Sequence, residues 1–186
     1  MGKKLSEMTL EELWELFPII LVEHNDAWKE WYASEAVCVS EALSRFNVTA
    51  INHIGSTAID TIWAKPIIDI LVEVAPECEI DEIRKALVGA GYICMNRSDN
   101  RMSFNKGYTE NGFAERVFHL HLRYTGDNDE IYFRDYLNAH AQTAKEYEKL
   151  KFALWKKFEH DRDGYTEAKS DFVKKTTSEA KRTRGK

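Results

Sequence analysis

The sequence predicts an α+β domain in which helices flank a small mixed β-sheet. Three observations support this class. Strand-like and helix-like segments do not alternate as regularly as in a doubly wound nucleotide-binding fold, three strand-like segments follow one another in mid-chain, and the last third is helical. With 186 residues, 44% of them hydrophobic, the chain can bury one core without disulfides or a structural metal.

Composition and charge exclude several classes of protein. A 31% charged, 44% hydrophobic chain is not intrinsically disordered, and a net charge of −5 argues against bulk nucleic-acid binding. Three cysteines at spacings that fit no metal motif indicate a reduced, cytoplasmic protein. The apolar stretch over 16–22 is too short to cross a membrane. The oligomeric state is left open.

Helical signals dominate the first quarter of the chain. Thr9 and Glu12 form a capping box, which predicts a short amphipathic helix over 6–17 that ends before Pro18. A long helix is predicted over 26–46, with Asp26 as its cap.

Two strands follow. The β-branched residues over 48–54 predict a strand, which is broken at residues 55–57 before a short helix that runs through about Trp63. The nearly continuous apolar run over 67–74 predicts the central strand of the sheet.

The remaining elements are a helix, three strands and the C-terminal helices. The sequence predicts a helix over 80–90, strands over 92–95, 102–106 and 117–124, a hairpin loop over 107–114, and helices over 129–138, 141–159 and 164–180. We expect a division into an N-terminal helical extension (1–20), a core domain (21–160) and a C-terminal helix with a basic tail (161–186). Residues 174–186 of that tail carry six basic residues and one acidic residue.

The first candidate site is the turn Gly55-Ser56-Thr57. Glycine lets the backbone approach a ligand closely, and free N–H groups at a helix start together with two hydroxyls suit a phosphate. A plain helix N-cap explains the same residues.

The second candidate is the pair of carboxylates on the central strand. Asp69 and Glu73 share one face because side chains alternate along a strand. An unpaired buried carboxylate is costly, so Asp69 is expected to meet a cation or a donor. It is a candidate for catalysis or metal binding, although pairing with Lys65 or capping of a backbone group would also explain it.

The third candidate is the histidine pair. His119 and His121 lie two residues apart on a predicted strand, so both imidazoles project from one face as metal ligands or phosphate contacts. A hydrogen-bonded pair on an exposed face is the alternative. Lys106, on a neighbouring strand, is a further candidate for phosphate binding, although surface cations are common.

Several of these segments together resemble the GrpB family, which belongs to the nucleotidyltransferase-like superfamily. The segment His53-Ile-Gly-Ser-Thr-Ala, followed by Ala64-Lys-Pro-Ile-Ile-Asp-Ile-Leu-Val, is similar to the family signature. Further similarity lies in Asn25-Asp-Ala-Trp, His119-Leu-His-Leu, Phe133-Arg-Asp-Tyr-Leu and Lys145-Glu-Tyr-Glu-Lys-Leu-Lys, so that the resemblance covers about residues 21–155.

The resemblance implies a nucleotidyltransferase-like core with a helical C-terminal part. In such a core Gly55 and Ser56 would face a nucleotide triphosphate, and Asp69 would be the first metal-binding carboxylate. Active members of the superfamily usually carry a second acid two residues further along, where this chain has Leu71. One carboxylate is a poor basis for two-metal phosphoryl transfer.

The sequence therefore leaves three alternative hypotheses for the function. The first is Mg²⁺-dependent transfer of a nucleotidyl group to a small acceptor, with Gly55, Ser56, Thr57 and Lys65 holding the phosphates and Glu73 as a displaced partner of Asp69. The second is a non-catalytic module that binds a nucleotide or phosphorylated metabolite. The third is a metal-dependent hydrolase in which Asp69, His119 and His121 hold Zn, Mn or Fe.

Overall fold

The computed structural model describes residues 3–184. The strands are β1 (Val48–Ile54), β2 (Ile67–Val74), β3 (Ile93–Arg97), β4 (Arg101–Thr109) and β5 (Gly112–Tyr124). The helices are α1 (Leu10–Leu16), α2 (Ala27–Ala42), α3 (Ile80–Gly89), α4 (Asp129–Ala139), α5 (Ala141–Lys157), α6 (Arg162–Glu167) and α7 (Ser170–Arg184).

The five strands form one mixed sheet in the order β1-β2-β5-β4-β3. β2 and β5 are parallel, and the other neighbouring strands are antiparallel. The predicted α+β class with a small mixed sheet is confirmed, and the segment predicted as the central strand pairs with a neighbour on both sides.

The main core covers one face of the sheet. Alternate residues of β2, among them Ile68 and Ile70, are fully buried together with Leu120 of β5. Trp28 of α2 and Leu87 of α3 belong to the same cluster. Because side chains alternate along a strand, Asp69 and its neighbours on that face point away from this core.

Near the N-terminus the predicted capping box is present. Thr9 Oγ1 accepts a hydrogen bond from the Glu12 backbone N–H (3.2 Å), and Glu12 Oε2 accepts one from the Thr9 N–H (2.7 Å). The chain then joins the rest of the molecule through paired backbone hydrogen bonds between Val22 and Ala64.

The prediction of a hairpin loop over 107–114 is wrong in its extent. β4 and β5 continue almost to the turn, which is limited to Glu110 and Asn111. The glycine signal marks a shift in strand register instead: Gly107 has φ +91°, and a Cβ there would overlap the carbonyl oxygen of Arg116.

The C-terminal helices build a second cluster. Ile59 and Ile62 pack with Phe133, Leu137 and Tyr147. The helix predicted over 164–180 is divided into α6 and α7, which are separated by two residues. Within the described part of the chain, no helix combines the length and the apolar character needed to span a membrane.

Candidate functional site

A cavity of about 660 Å³ lies on the sheet face opposite the main core. Its floor includes Asp69 of β2 with His119 and His121 of β5, and its walls come from α4, α5, α6 and α7. We call it the cationic cavity because Lys65, Lys151, Lys169 and Arg162 line it.

Gly55 is the residue that lets the turn after β1 meet the Asp69 side chain. Its φ is +72°, and a Cβ at this position would overlap the Asp69 carboxylate. Glycine is therefore required here for two reasons: the positive φ, and the close approach of the Asp69 carboxylate to the backbone. Ser56 beside it also lines the cavity.

Asp69 stands between the two histidines. In the parallel pair of β2 and β5, Asp69 is directly opposite His119. Its Oδ1 lies 3.4 Å from His119 Nδ1 and 3.5 Å from His121 Nε2, and all three side chains are 20–26% exposed. Burial opposes ionisation of Asp69, but hydrogen bonds from the two histidines hold its pKa below the usual value, and burial lowers the pKa of His119.

The other nitrogen of His119 is also engaged. The Tyr108 hydroxyl lies 2.7 Å from His119 Nε2 and accepts a hydrogen bond from Arg162 Nη2 at 2.9 Å. Asp69, His119, Tyr108 and Arg162 thus form one continuous chain of polar contacts. Across residues 3–184, no three His, Cys, Asp or Glu side chains are grouped in a way that could hold a metal ion, so the metal assignment stays a prediction.

Three lysines in the cavity have strongly lowered pKa values. Burial, followed by repulsion from neighbouring cations, lowers the pKa to about 7 for Lys65 and for Lys151. Burial alone accounts for the lowering of Lys169 to about 8. The ammonium groups of Lys65 and Lys169 lie 5.3 and 4.3 Å from the centre of the Tyr165 ring.

These cations lack acidic partners inside the protein. Lys151 Nζ donates to the carbonyl oxygen of Trp63, which is a neutral group. Counting the ion pairs of residues 3–184, neither these three lysines nor Arg162 has a carboxylate oxygen within 4.0 Å. The carboxylates that line the cavity are engaged or exposed: Asp69 is paired with histidines, Asp129 with Lys181 and Glu130 with Arg123, and Asp163 is exposed to solvent. The cavity therefore holds uncompensated positive charge, which is costly unless an anion binds.

Some of the predicted site residues lie elsewhere. Thr57 is 1% exposed, and its Oγ1 donates to the Ile67 carbonyl oxygen and contacts His53 Nε2, so its side chain fastens the turn to β2. Lys106 lies on the opposite face of the sheet, where its Nζ donates to Glu35 of α2 at 2.7 Å. It is one residue away from Asn105, the cross-strand partner of His119, and therefore points the other way.

Glu73 shares the face of Asp69 but does not line the cavity. Its Oε1 accepts hydrogen bonds from the Gly126 N–H (2.9 Å) and from Asn128 Nδ2 (3.0 Å). The side chain is 4% exposed and caps the turn between β5 and α4. The structure therefore does not bring Glu73 to Asp69 as a displaced second acid.

Sequence reasoning missed the cations from the C-terminal helices. Lys151 follows Ala144, Tyr147 and Glu148 at helical spacing on the buried stripe of α5, and a lysine at such a position is a signal of function. Lys169 lies in the segment 161–186, which the sequence predicts to be separate from the core domain, and carries no comparable signal.

Arg134 also has a structural role that the sequence did not indicate. Its Nη1 donates to the His53 carbonyl oxygen at 2.6 Å, and its Nη2 pairs with Asp135 at 2.7 Å. This contact ties α4 to the end of β1, next to Gly55. His53 itself stacks on Tyr32, and burial lowers its pKa to about 4, so this histidine is neutral at physiological pH.

Comparison with solved structures places the fold. A conserved protein GrpB from Enterococcus faecalis is 29% identical and superposes with a TM-score of 0.77, covering 90% of this chain and all of that one. Cid1 poly(U) polymerase, in a Mg 3′-dATP complex, is 11% identical with a TM-score of 0.53, covering 86% of this chain and 51% of that protein. At that identity the second likeness shows a shared fold alone.

Sequence comparison agrees. The glutamate-rich protein GrpB of Alkalihalophilus pseudofirmus is 38% identical over 168 residues, which cover 87% of this chain and 95% of that protein. Two further bacterial relatives are longer proteins, and the chain spans 62% and 53% of their lengths. The family model described as GrpB protein matches residues 18–179. This chain belongs to the GrpB family.

Proposed function

We propose that the cationic cavity binds a nucleotide or a small phosphorylated metabolite through lysine and arginine side chains, without a pair of divalent metal ions. The observation that carries the proposal is the convergence of Lys65, Lys151, Lys169 and Arg162 on one cavity in which Asp69 faces histidines. A phosphate group would supply the negative charge that these cations lack and would restore their ordinary protonation.

The donor set argues for direct binding of the phosphates by the protein. Mg²⁺ prefers oxygen ligands, and two-metal phosphoryl transfer needs several of them. Next to Asp69 on the same face, β2 carries the buried Leu71, and β5 carries His119 and His121. Lysine ammonium groups near the phosphates would supply positive charge that divalent metal ions supply in other proteins.

The fold supports the ligand class. Structures of Cid1 poly(U) polymerase with Mg 3′-dATP and with MgATP share this fold with TM-scores of 0.53 and 0.52. The Gly55 turn and the strand that bears Asp69 lie beside the cavity, where such a fold would place phosphates.

Calorimetric titration tests the proposal directly. Nucleoside mono-, di- and triphosphates and a sugar phosphate are titrated into the protein in the presence of EDTA. We expect saturable binding of at least one of them, weakened about tenfold by Lys169→Gln, since a charged hydrogen bond is worth 1.5–3 kcal/mol. Lys175→Gln on the exposed side of α7 is the matched control. Absence of binding to all four classes in EDTA, including the case in which binding appears only when Mg²⁺ replaces EDTA, would overturn the proposal.

Mg²⁺-dependent nucleotidyl transfer is the second candidate. It is favoured by the contact between Gly55 and Asp69, which holds one carboxylate against the turn that would face the phosphates. Incubation with α-labelled nucleoside triphosphates, Mg²⁺ and a panel of small acceptors distinguishes the two. Labelled product that disappears in Asp69→Asn would favour the transferase, whereas binding without turnover favours the binding module.

The metal-dependent hydrolase is the third and least supported candidate: His119 and His121 both face Asp69 Oδ1, but among residues 3–184 no three His, Cys, Asp or Glu side chains are grouped as metal ligands. It predicts stoichiometric Zn, Mn or Fe in protein purified without added metal. The contact of His119 Nε2 with Tyr108 leaves only the Nδ1 side of that ring toward Asp69, and Nδ1 would have to lose its proton to ligate.

A further inference from the structure

A second cavity, of about 1020 Å³, lies between α1 and the edge of the sheet formed by β3 and β4. We call it the apolar cavity, because its walls are formed by Leu10, Leu13 and Trp14 on one side and by Ile93 and Met95 on the other. Its size and character are those of a small-molecule site rather than of a packing defect.

The walls of the apolar cavity carry unusually exposed hydrophobic side chains. Leu10 is 50% exposed, Ile93 47% and Met95 58%. Exposed apolar side chains gathered around one concave surface are typical of a binding site, whereas single exposed hydrophobic residues need no explanation. Val37 and Val88, which are exposed to similar extents, line neither cavity.

The two cavities lie along the same face of the sheet. Cross-strand partners share a face, and the register places Asp69, His119, Asn105 and Ile93 in one row across β2, β5, β4 and β3. The first two line the cationic cavity, and the last two line the apolar cavity. Arg162 contributes to both.

Arg162 is the cation at the junction of the two cavities, and the exposed carboxylate of Asp163 also lines both. Its guanidinium donates to Tyr108 and lies 5.5 Å from the centre of that ring, and no carboxylate oxygen of residues 3–184 is within 4.0 Å of it. The acidic residues that line the apolar cavity, Glu110 and Asp163, are exposed to solvent. The cavity thus combines apolar walls with two cations, Arg162 and the exposed Lys4, and neither has a carboxylate oxygen of residues 3–184 within 4.0 Å.

We propose that the apolar cavity is a second ligand site that takes a small amphiphilic molecule. Its apolar body would lie between α1 and β3, and its single anionic group would meet Arg162. The guanidinium has donors left after its bond to Tyr108, so it can bind an anion without breaking that contact. This proposal does not rest on the proposed function, although the two cavities share Arg162, so a phosphate in the cationic cavity would compete for the same guanidinium.

Two fluorescent probes test both halves of this proposal. Anilinonaphthalene sulfonate has an apolar body and one anionic group, and N-phenylnaphthylamine is its uncharged analogue. We expect both probes to bind saturably, one per chain. Arg162→Gln should weaken the sulfonate probe about tenfold and leave the uncharged probe unchanged, because only the first loses a charged contact.

Surface substitutions supply the matched controls. Met95→Lys and Ile93→Lys place a charge in the wall of the cavity at side chains that are already half exposed, so the fold should tolerate them. Both should weaken both probes. Val37→Lys and Val88→Lys, with nearly equal exposures elsewhere on the surface, should weaken neither.

Three results would overturn the proposal. They are unsaturable probe binding, equal effects of the wall and control variants, and a concentration-dependent dimer in sedimentation that Met95→Lys dissociates, which would make a second copy of the chain the occupant. Lys169→Gln should leave both probes unaffected. Failure of the probe experiments together with intact phosphate binding would therefore reject the second site and keep the proposed function.

Discussion

The Tyr108 hydroxyl lies 2.7 Å from Nε2 of His119, and this contact fixes the direction of every hydrogen bond around it. Arg162 can only donate hydrogen bonds, so the Tyr108 oxygen accepts one from it, and the Tyr108 O–H donates a hydrogen bond to Nε2 of His119. His119 then carries its proton on Nδ1, which faces Asp69 Oδ1. The histidine is held neutral in one tautomer, and Asp69 is held ionised.

Replacing Tyr108 tests this order of donors. Tyr108→Phe leaves His119 Nε2 without its donor, so the fixed tautomer should be lost and the free energy of unfolding should fall by about 1–2 kcal/mol. Nitrogen-15 NMR of the histidine ring reads the tautomer, and urea denaturation reads the stability. Tyr132→Phe is the control, since that ring only faces Lys181 and Arg184. An unchanged His119 spectrum in Tyr108→Phe would contradict the assignment.

Stability should increase with pH above neutrality. The pKa values of Lys65, Lys151 and Lys169 are about 7, 7 and 8, well below the ordinary value of 10.5. Between these values and about pH 10 the unfolded chain binds more protons than the folded one, so the free energy of unfolding rises with pH over this range. Below pH 7 both states are protonated and the dependence disappears.

Denaturation in urea at pH 6.5, 7.5, 8.5 and 9.5 measures this slope. Lys169→Met should make it shallower, because that variant removes one of the groups that titrates. A stability that does not increase over the same range would contradict the lowered pKa values of the three lysines.

Phosphate binding should take up protons. An anion beside the three lysines favours their charged forms, so their pKa values rise on binding and the affinity weakens from pH 7 to pH 9. Calorimetry in two buffers with different ionisation enthalpies gives the number of protons taken up. Lys169→Gln should lower that number, and zero uptake in the native protein would mean that the ligand does not contact these side chains.

Two glycine substitutions separate backbone strain from close approach. Gly55 and Gly126 both have positive φ, +72° and +95°. A Cβ at Gly126 would meet nothing within 4 Å, whereas one at Gly55 would overlap Asp69. Gly126→Ala should cost about 1 kcal/mol of stability, and Gly55→Ala about 1–3 kcal/mol more, with loss of phosphate binding. Equal costs, measured by thermal unfolding, would show that Asp69 moves away freely.

Removing Glu73 distinguishes a structural carboxylate from a catalytic one. Glu73→Ala leaves the Gly126 N–H and the Asn128 amide without their acceptor, so we expect a loss of about 1–3 kcal/mol in urea denaturation. The phosphate affinity should not change, and Glu110→Ala, at an exposed position, should change neither quantity. A large loss of affinity in Glu73→Ala alone would return this residue to the candidate site.

The sequence predicted the parts of the site that belong to local patterns. The glycine after β1 indicates the break in the strand, and the apolar composition around Asp69 indicates a buried strand. The two-residue spacing of His119 and His121 places them on one face of β5. The positions of Lys106 and Glu73 needed more than pattern. Lys106 lies away from the site because its side chain is on the face of the sheet that the core covers. Glu73 lies away from it because its side chain accepts a hydrogen bond from a distant turn.

Tyr108 shows a further limit of prediction from the sequence. Lys106 and Tyr108 are two apart in one strand and should share a face, yet Lys106 contacts Glu35 and Tyr108 contacts His119 on the other side. The register shift at Gly107 turns the chain over between them. Glycines in the sequence indicated an irregularity there, but the direction of the following side chain depends on pairing with β5.

The parallel pairing of β2 with β5 also affects how the protein is made. During synthesis β2 is complete long before β5 emerges, and until then it can pair only with β1. The other edge of β2 stays unpaired during that time, and because β2 is almost entirely apolar, it can form non-native contacts with other segments. The walls of the cationic cavity that come from Lys169 and α7 are synthesised later still, so this cavity can form only after they have left the ribosome.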